Sequence, residues 1–292
     1  MFRGTYTAIV TPFRDGAVDE EALTQLIEWQ IESGITGVVP VGTTGESPTL
    51  DHAEHSRVIQ LAVKAAAGRC KVIGGTGSNS TDEAISLTRE AEKVGADAAL
   101  LVAPYYNKPT QEGLFRHYKA IASATRLPII LYSIPGRCGI EVSVDTAVRL
   151  SRECPNVVSI KEAGGSVERV SQLRAALPPQ FTVLSGDDSL TLPFMSVGAE
   201  GVISVASNII PREMVRMVDA FTAGRAAEAR ELHTRFYPLF RDLFIETNPI
   251  PIKTALALAG RISGEFRLPL CEMAPANEAK LLATLRNLNL VK

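Results

Sequence analysis

Eight times before about residue 222 this chain passes from a short apolar, mostly β-branched run to a longer stretch of helical period. Strands joined by crossovers of helical length run parallel, so the alternation demands a parallel sheet covered by helices. The strand candidates are Ala8-Ile9-Val10, Gly37-Val38-Val39-Pro40-Val41, Val72-Ile73-Gly74, Ala98-Ala99-Leu100-Leu101-Val102, Ile129-Ile130-Leu131-Tyr132, Val157-Val158-Ser159-Ile160, Thr182-Val183-Leu184-Ser185 and Gly201-Val202-Ile203-Ser204. Between them Leu23, Leu26, Ile27 and Ile31 share one helical face, as do Val58, Leu61, Ala62 and Ala65. Asp51 with Glu54 and Ser80 with Glu83 have capping-box spacing, and Asp19 is placed to cap the first helix. Eight βα units close into a barrel, so a (βα)8 TIM barrel is expected over residues 1–223.

From residue 224 to 292 the strands stop. Arg225 to Phe244, Ile252 to Ala259 and Ala276 to Leu288 read as helices of a C-terminal extension, punctuated by Pro249, Pro251 and Pro269. Leu232, Phe236, Leu239, Phe240 and Leu243 form an apolar stripe that can meet either the barrel's outside or another subunit. A total of 292 residues suits one barrel with such an appendix. The formal charge of −2 supplies no basic field, so nucleic acid and anionic membrane surfaces are not expected partners. Cys70, Cys138, Cys154 and Cys271 are scattered without a Cys-x-x-Cys pair, which argues against a zinc cluster or a disulfide framework. The start, Met1-Phe2-Arg3-Gly4-Thr5, lacks a signal peptide's apolar core, and no run reaches membrane-spanning length. A cytoplasmic protein with a small ligand is expected.

In such a barrel chemistry sits on the loops that follow the strands. Lys161 follows Asn156-Val157-Val158-Ser159-Ile160 directly and reads as the residue that closes the sixth strand. An amine there loses solvation of its charged form, which lowers its pKa and frees the nucleophile that Schiff-base chemistry needs. For a lysine taken singly, a solvated strand end is the competing reading. By contrast, Lys64, Lys93 and Lys119 lie in helical patterns, Lys108 in a loop, and Lys71 at a strand's start. Thr43 and Thr44, in Gly42-Thr43-Thr44-Gly45-Glu46-Ser47, offer hydroxyls and backbone N–H groups to a small carboxylate, or else cap a tight turn. The missing Gly-Lys-Ser/Thr ending excludes a phosphate-binding P-loop. Tyr132 and Arg137 pair a strand-end phenol suited to proton transfer with a guanidinium suited to a carboxylate, although a lone tyrosine here could equally be core.

Other constellations carry less. His52 and His55 flank Glu54 without the zinc spacing or a third ligand, Gly186-Asp187-Asp188 reads as a helix cap rather than a magnesium site, and Gly74, Gly75 and Gly77 lack the last glycine of a dinucleotide loop. No metal and no cofactor are expected.

Taken together, Gly42 through Ser47, Pro104-Tyr105-Tyr106-Asn107, Tyr132 through Gly139, Ile160-Lys161-Glu162-Ala163, Ser185-Gly186-Asp187-Asp188, Gly201 through Ser204 and Asn248-Pro249-Ile250-Pro251 resemble the dihydrodipicolinate synthases, within the pyruvate-dependent class I aldolase superfamily. The likeness spans nearly the whole chain. It implies that Lys161 condenses with pyruvate and that the resulting enamine attacks L-aspartate 4-semialdehyde, giving 4-hydroxy-tetrahydrodipicolinate on the diaminopimelate route to lysine. It further implies that Tyr132, Thr43 and Tyr106 relay protons, with Tyr106 supplied by a neighbouring subunit. Thr44 and the Ile203 backbone would hold pyruvate, and Arg137 the semialdehyde's carboxylate. Ser133 and Cys138 stand where asparagine and threonine are common in the family, which puts the acceptor's fit in question more than the reaction.

The same resemblance implies an L-lysine inhibitory site formed by Ser47, Pro48, His52, His55, Asn79, Glu83 and Tyr105 between subunits, and a homotetramer built as a dimer of dimers. A polar subunit interface is the alternative reading of those seven residues. Two other functions remain open at this point: a sugar-acid or N-acetylneuraminate lyase, against which Arg137 argues, and a non-catalytic amino-acid-binding barrel, against which Lys161, Tyr132 and Thr43 argue.

Overall fold

The computed structural model describes residues 2–292, and in it the eight apolar runs form a closed barrel of parallel strands. The strands are Gly4–Ala8, Gly37–Val39, Lys71–Gly75, Ala98–Val102, Ile129–Ser133, Val157–Glu162, Thr182–Ser185 and Gly201–Ser204. Closure is direct, because the first strand pairs with the second on one side and the eighth on the other. Successive side chains on a strand point to opposite faces. One parity, including Tyr6, Val39, Ile73, Leu100, Ile130, Tyr132, Leu184 and Ile203, therefore fills the barrel interior. The other, including Val38, Val72, Leu101, Leu131, Val183 and Val202, packs against the surrounding helices.

Five of the eight strands differ in their bounds from the sequence expectation, the third gaining Lys71 and Gly75 and the fifth Ser133. The first strand is Gly4–Ala8, with Ile9 and Val10 buried in the loop beyond it. Its Thr7 was hidden from an apolarity reading, yet it is buried because the Gln30 side chain accepts its hydroxyl proton at 2.6 Å. The second strand stops at Val39, since Val41 takes a positive φ of 51° that no strand can continue. The sixth runs on to Glu162, so Lys161 lies inside the ladder, paired with Tyr132 on one side and Leu184 on the other, instead of closing it. Glu162 can extend the strand because its carboxylate meets Arg169 Nε at 2.8 Å on the helix side, where both are buried.

The helix starts follow their caps. Asp19 accepts from Ala22 N, and Asp51 and Glu54 close a reciprocal capping box, each such cap contributing about 1 kcal/mol. Ser80 also caps its helix, but the reciprocal half is missing there because the Glu83 carboxylate turns to Ser78 and His52. The C-terminal helices are Ala226–Asp242, Ile250–Leu258 and Pro275–Asn287. The stripe of Leu232, Phe236, Leu239, Phe240 and Leu243 is buried within this chain, in one core with Met214, Met217 and Val218 of the helix Pro211–Thr222. No helix among the described residues is long and apolar enough to cross a membrane.

The extension also returns to the loop that follows the second strand. Lys253 and Glu46 form an ion pair at 2.5 Å with both side chains fully buried, and the Lys253 amine lies 4.3 Å from the centre of the Phe13 ring. Arg267 meets the Glu54 carboxylate through two nitrogens, each at 2.6 Å. Removing one partner of a buried pair strands the other's charge. Lys253→Ala is therefore expected to lower unfolding free energy by about 3–5 kcal/mol, measured by urea unfolding. The double change Glu46→Gln with Lys253→Met should recover most of that loss, and a double variant no more stable than the single one would contradict the assignment.

Candidate active site

Lys161 and Tyr132 are neighbours in register on adjacent parallel strands, so both side chains point to the same barrel face. The Lys161 Nζ sits 4.0 Å from the centre of the Tyr132 ring, a cation–π contact worth about 2 kcal/mol when desolvated. Burial pulls the Lys161 amine down to about 7 from 10.5, with the Arg137 guanidinium pushing the same way and Asp188 opposing both. That is roughly 5 kcal/mol against the charged form, and it leaves a large fraction of free amine at neutral pH. Gly186 makes this placement possible, since a Cβ there would come within 3.0 Å of Lys161 Cε and 2.7 Å of Ala163 Cβ.

Burial pushes the Tyr132 phenol the other way, up to about 12, while Arg137 and the Thr43 hydroxyl oppose the rise. The phenol therefore keeps its proton at neutral pH and has two groups ready to stabilise it on losing one. Cys138, also nearby, is buried and raised to about 11, so it stays a thiol. Ser133 is buried and its hydroxyl accepts from Val142 N at 3.3 Å, which gives that residue a packing role beneath the site.

Thr44 lies under the mouth, 3% exposed, and its hydroxyl accepts from Asn248 Nδ2 at 3.0 Å. The Asn248 carbonyl in turn accepts from Arg137 Nη2 at 2.9 Å. One residue of the C-terminal segment thus ties the threonine loop to the arginine. Ile203 is fully buried in the barrel interior, one residue before the end of the eighth strand. Tyr106 is not brought to this group within one chain: it is 90% exposed, with a positive φ of 72°.

A cavity of about 730 Å³ is lined by Thr43, Tyr132 and Arg137 together with Ser47, Pro48, His52, His55, Glu83 and Tyr105. Asn79 stands at its edge, its Nδ2 donating to the Tyr105 carbonyl at 3.2 Å. His52 Nε2 lies 2.9 Å from Glu83 Oε1, and Ser78 donates to the other carboxylate oxygen. These bonds hold the Glu83 carboxyl below the usual range. His55 Nε2 contacts the Gly75 carbonyl at 2.9 Å, its Nδ1 has no partner, and burial lowers its pKa. No group of three or more His, Cys, Asp or Glu side chains among the described residues is arranged to hold a metal ion. Gly75 and Gly77 serve close strand packing, for a Cβ on Gly75 would lie 2.5 Å from the Val41 carbonyl.

Sequence reasoning missed Asn248 and the Lys253–Glu46 pair, and it read Asp188 as a cap. Asp187 is the one that receives the local amides, of Ser189 and Leu190. The only available signal for Asn248 was its place in the Asn248-Pro249-Ile250-Pro251 motif.

The profile of the dihydrodipicolinate synthetase family matches residues 1–288. The 4-hydroxy-tetrahydrodipicolinate synthase of Thermodesulfovibrio yellowstonii is 54% identical over 292 residues, covering 100% of both chains. Among solved structures, the chloride-inhibited dihydrodipicolinate synthase of Acinetobacter baumannii complexed with pyruvate is 48% identical with a TM-score of 0.97, covering 100% of both chains. The dihydrodipicolinate synthase of Cyanidioschyzon merolae with lysine bound is 43% identical with a TM-score of 0.97, covering 99% of each.

The depressed pKa of Lys161 is open to direct measurement. Competitive labelling with acetic anhydride across pH should give Lys161 a midpoint near 7, against about 10.4 for exposed lysines. A Lys161 midpoint indistinguishable from theirs would show that burial does not hold the amine as described.

Proposed function

The chain belongs to the dihydrodipicolinate synthetase family, and we propose that its 4-hydroxy-tetrahydrodipicolinate synthase reaction, a lyase step in the making of lysine, runs through an imine on Lys161. The observation that carries the proposal is the buried Lys161 amine at about 7, packed on the Tyr132 ring. The free amine attacks the keto carbon of pyruvate, and the carbinolamine loses its hydroxyl as water, leaving a protonated imine. Tyr132 supplies the proton for that departure, and Thr43 and Arg137 favour the phenolate left behind. The Tyr132 phenolate takes a methyl proton to give the enamine, whose carbon bonds to the aldehyde carbon of L-aspartate 4-semialdehyde while the phenol returns that proton to the aldehyde oxygen. Attack of the semialdehyde's amine on the former keto carbon closes the ring and expels Lys161. Thr44 and the Ile203 backbone are assigned to pyruvate's carboxylate end. Arg137, in the cavity's lining, is assigned to the semialdehyde's carboxylate.

Tyr106 completes the relay from a second subunit, a role supported by its 90% exposure. The assembly we propose is a homotetramer formed as a dimer of dimers. L-lysine is the proposed inhibitor, bound by Ser47, Pro48, His52, His55, Asn79, Glu83 and Tyr105, with the Glu83 carboxylate suited to an ammonium group. The lysine-bound relative supports this reading, as does a single cavity lined by both Glu83 and Tyr132. Four unpaired cysteines support a reducing cytoplasm.

Incubation with pyruvate and borohydride should place a reduced adduct on the peptide that contains Lys161, as mapped by mass spectrometry. Its absence there would end the mechanism. In steady-state assays Glu83→Gln should weaken lysine inhibition by about 10- to 100-fold, and light scattering should return a tetramer. A fully active monomer, or inhibition indifferent to Glu83, would contradict the respective assignment.

A further inference from the structure

Asn248 belongs to the C-terminal extension, yet its side chain and its backbone each reach a group assigned to a substrate. Its Nδ2 donates to the Thr44 hydroxyl at 3.0 Å, and its backbone carbonyl accepts from Arg137 Nη2 at 2.9 Å. Asn248 and Thr44 are both buried, so water does not readily stand in for the bond between them. The Asn248 Oδ1 has no partner among the described residues, which leaves the bond to Thr44 as the one that orients this amide.

A hydroxyl has one proton to give and two lone pairs to receive with. On Thr44 one lone pair is taken by the Asn248 amide, and no acceptor among the described residues takes the proton. The proton is thus left for something that enters the site. The backbone of the same loop is open in the same sense. Gly45 N and Ser47 N donate to the Gly42 carbonyl and Glu46 N to the Thr43 carbonyl, whereas the Thr43 and Thr44 amides enter no such bond. A hydroxyl proton beside two uncommitted amides suits an anion. Had the amide turned its oxygen to Thr44, the hydroxyl would donate to it and show an incoming carboxylate only lone pairs.

We propose, resting on the pyruvate reading above, that Asn248 is a positioning residue whose side-chain amide fixes the Thr44 hydroxyl as a donor to pyruvate's carboxylate. Asn248 acts here through Thr44 and not on the substrate itself. A donor aimed before the ligand arrives needs no reorganisation when it binds. The bond to Arg137 comes from the backbone carbonyl, so replacing the side chain leaves the group assigned to the semialdehyde in place. The two substrates should therefore respond differently.

The test uses the full-length protein with pyruvate and cyanoborohydride, reads half-saturating pyruvate from the Lys161 adduct by peptide mass spectrometry, and measures kcat/KM for each substrate. Asn248→Ala removes the donor and should raise half-saturating pyruvate about five-fold. It should lower kcat/KM for pyruvate by a similar factor and leave kcat/KM for the semialdehyde unmoved. Asn248→Asp keeps the shape but, ionised, can only accept. It takes the Thr44 proton for itself and should cost more than Asn248→Ala, about ten-fold or beyond. In a Thr44→Val background Asn248→Ala should add nothing, and Asn248→Asp less than it does alone, because the hydroxyl through which both act is gone. Less competent protein with half-saturation unmoved, an equal fall in kcat/KM for both substrates, or the same effects with and without the Thr44 hydroxyl would each overturn the inference. Should Asn248→Ala not fold by circular dichroism, Asn248→Asp with and without Thr44→Val carries the same comparison. An adduct absent from Lys161 in the unmodified protein overturns the imine reading and this one together. An adduct present but indifferent to Asn248 overturns this one alone.

Discussion

Everything at the mouth of this barrel is arranged around one unfavourable act, the burial of the Lys161 amine. Its cost to folding is roughly 5 kcal/mol. The cost is felt in full below pH about 7, where the native state carries the buried charge, and fades as pH rises to 10.5, where the unfolded chain is neutral too. Tyr132, Arg137, Asp188 and Gly186 all act on this one side chain. The phenol offers its ring face, Arg137 discourages the proton, Asp188 tempers that effect, and Gly186 leaves the space. The barrel supplies the rigidity, because a closed ladder fixes Tyr132 and Lys161 side by side.

The C-terminal extension is part of this arrangement rather than an appendix to it. Asn248 joins Thr44 to Arg137, so the groups assigned to the two substrates share one template. Five residues on, Lys253 neutralises Glu46, which sits at a positive φ of 52° in the threonine loop. A strained loop conformation costs of order 1–3 kcal/mol and persists only where its surroundings over-determine it. Here a buried ion pair and an amide hydrogen bond do so from another part of the chain.

Periodicity made the barrel legible because it reports which face of each element is buried, and that property is local. Strand ends were less legible. Thr7 and Glu162 look like loop residues, yet they lie in buried strands because Gln30 and Arg169, distant or on another element, satisfy them. The Ser80 box failed for the same reason in reverse, since a tertiary partner, His52, claims the Glu83 carboxylate. Arg137 was visible as a guanidinium after a strand, but its bond to the Asn248 carbonyl spans 111 positions and leaves no local pattern.

The sequence by itself determined the fold class and the family, and it singled out Lys161 as the candidate amine. Eight βα periods leave few ways to bury their apolar faces, and Lys161 follows an apolar strand run directly. Tertiary structure alone decided that Asn248 joins Thr44 to Arg137 and that Lys253 pairs with Glu46, so that the C-terminal segment braces the mouth. Those choices depend on where groups more than a hundred residues apart in sequence come to rest. Charge and desolvation act through space, so only the folded chain brings their sources together.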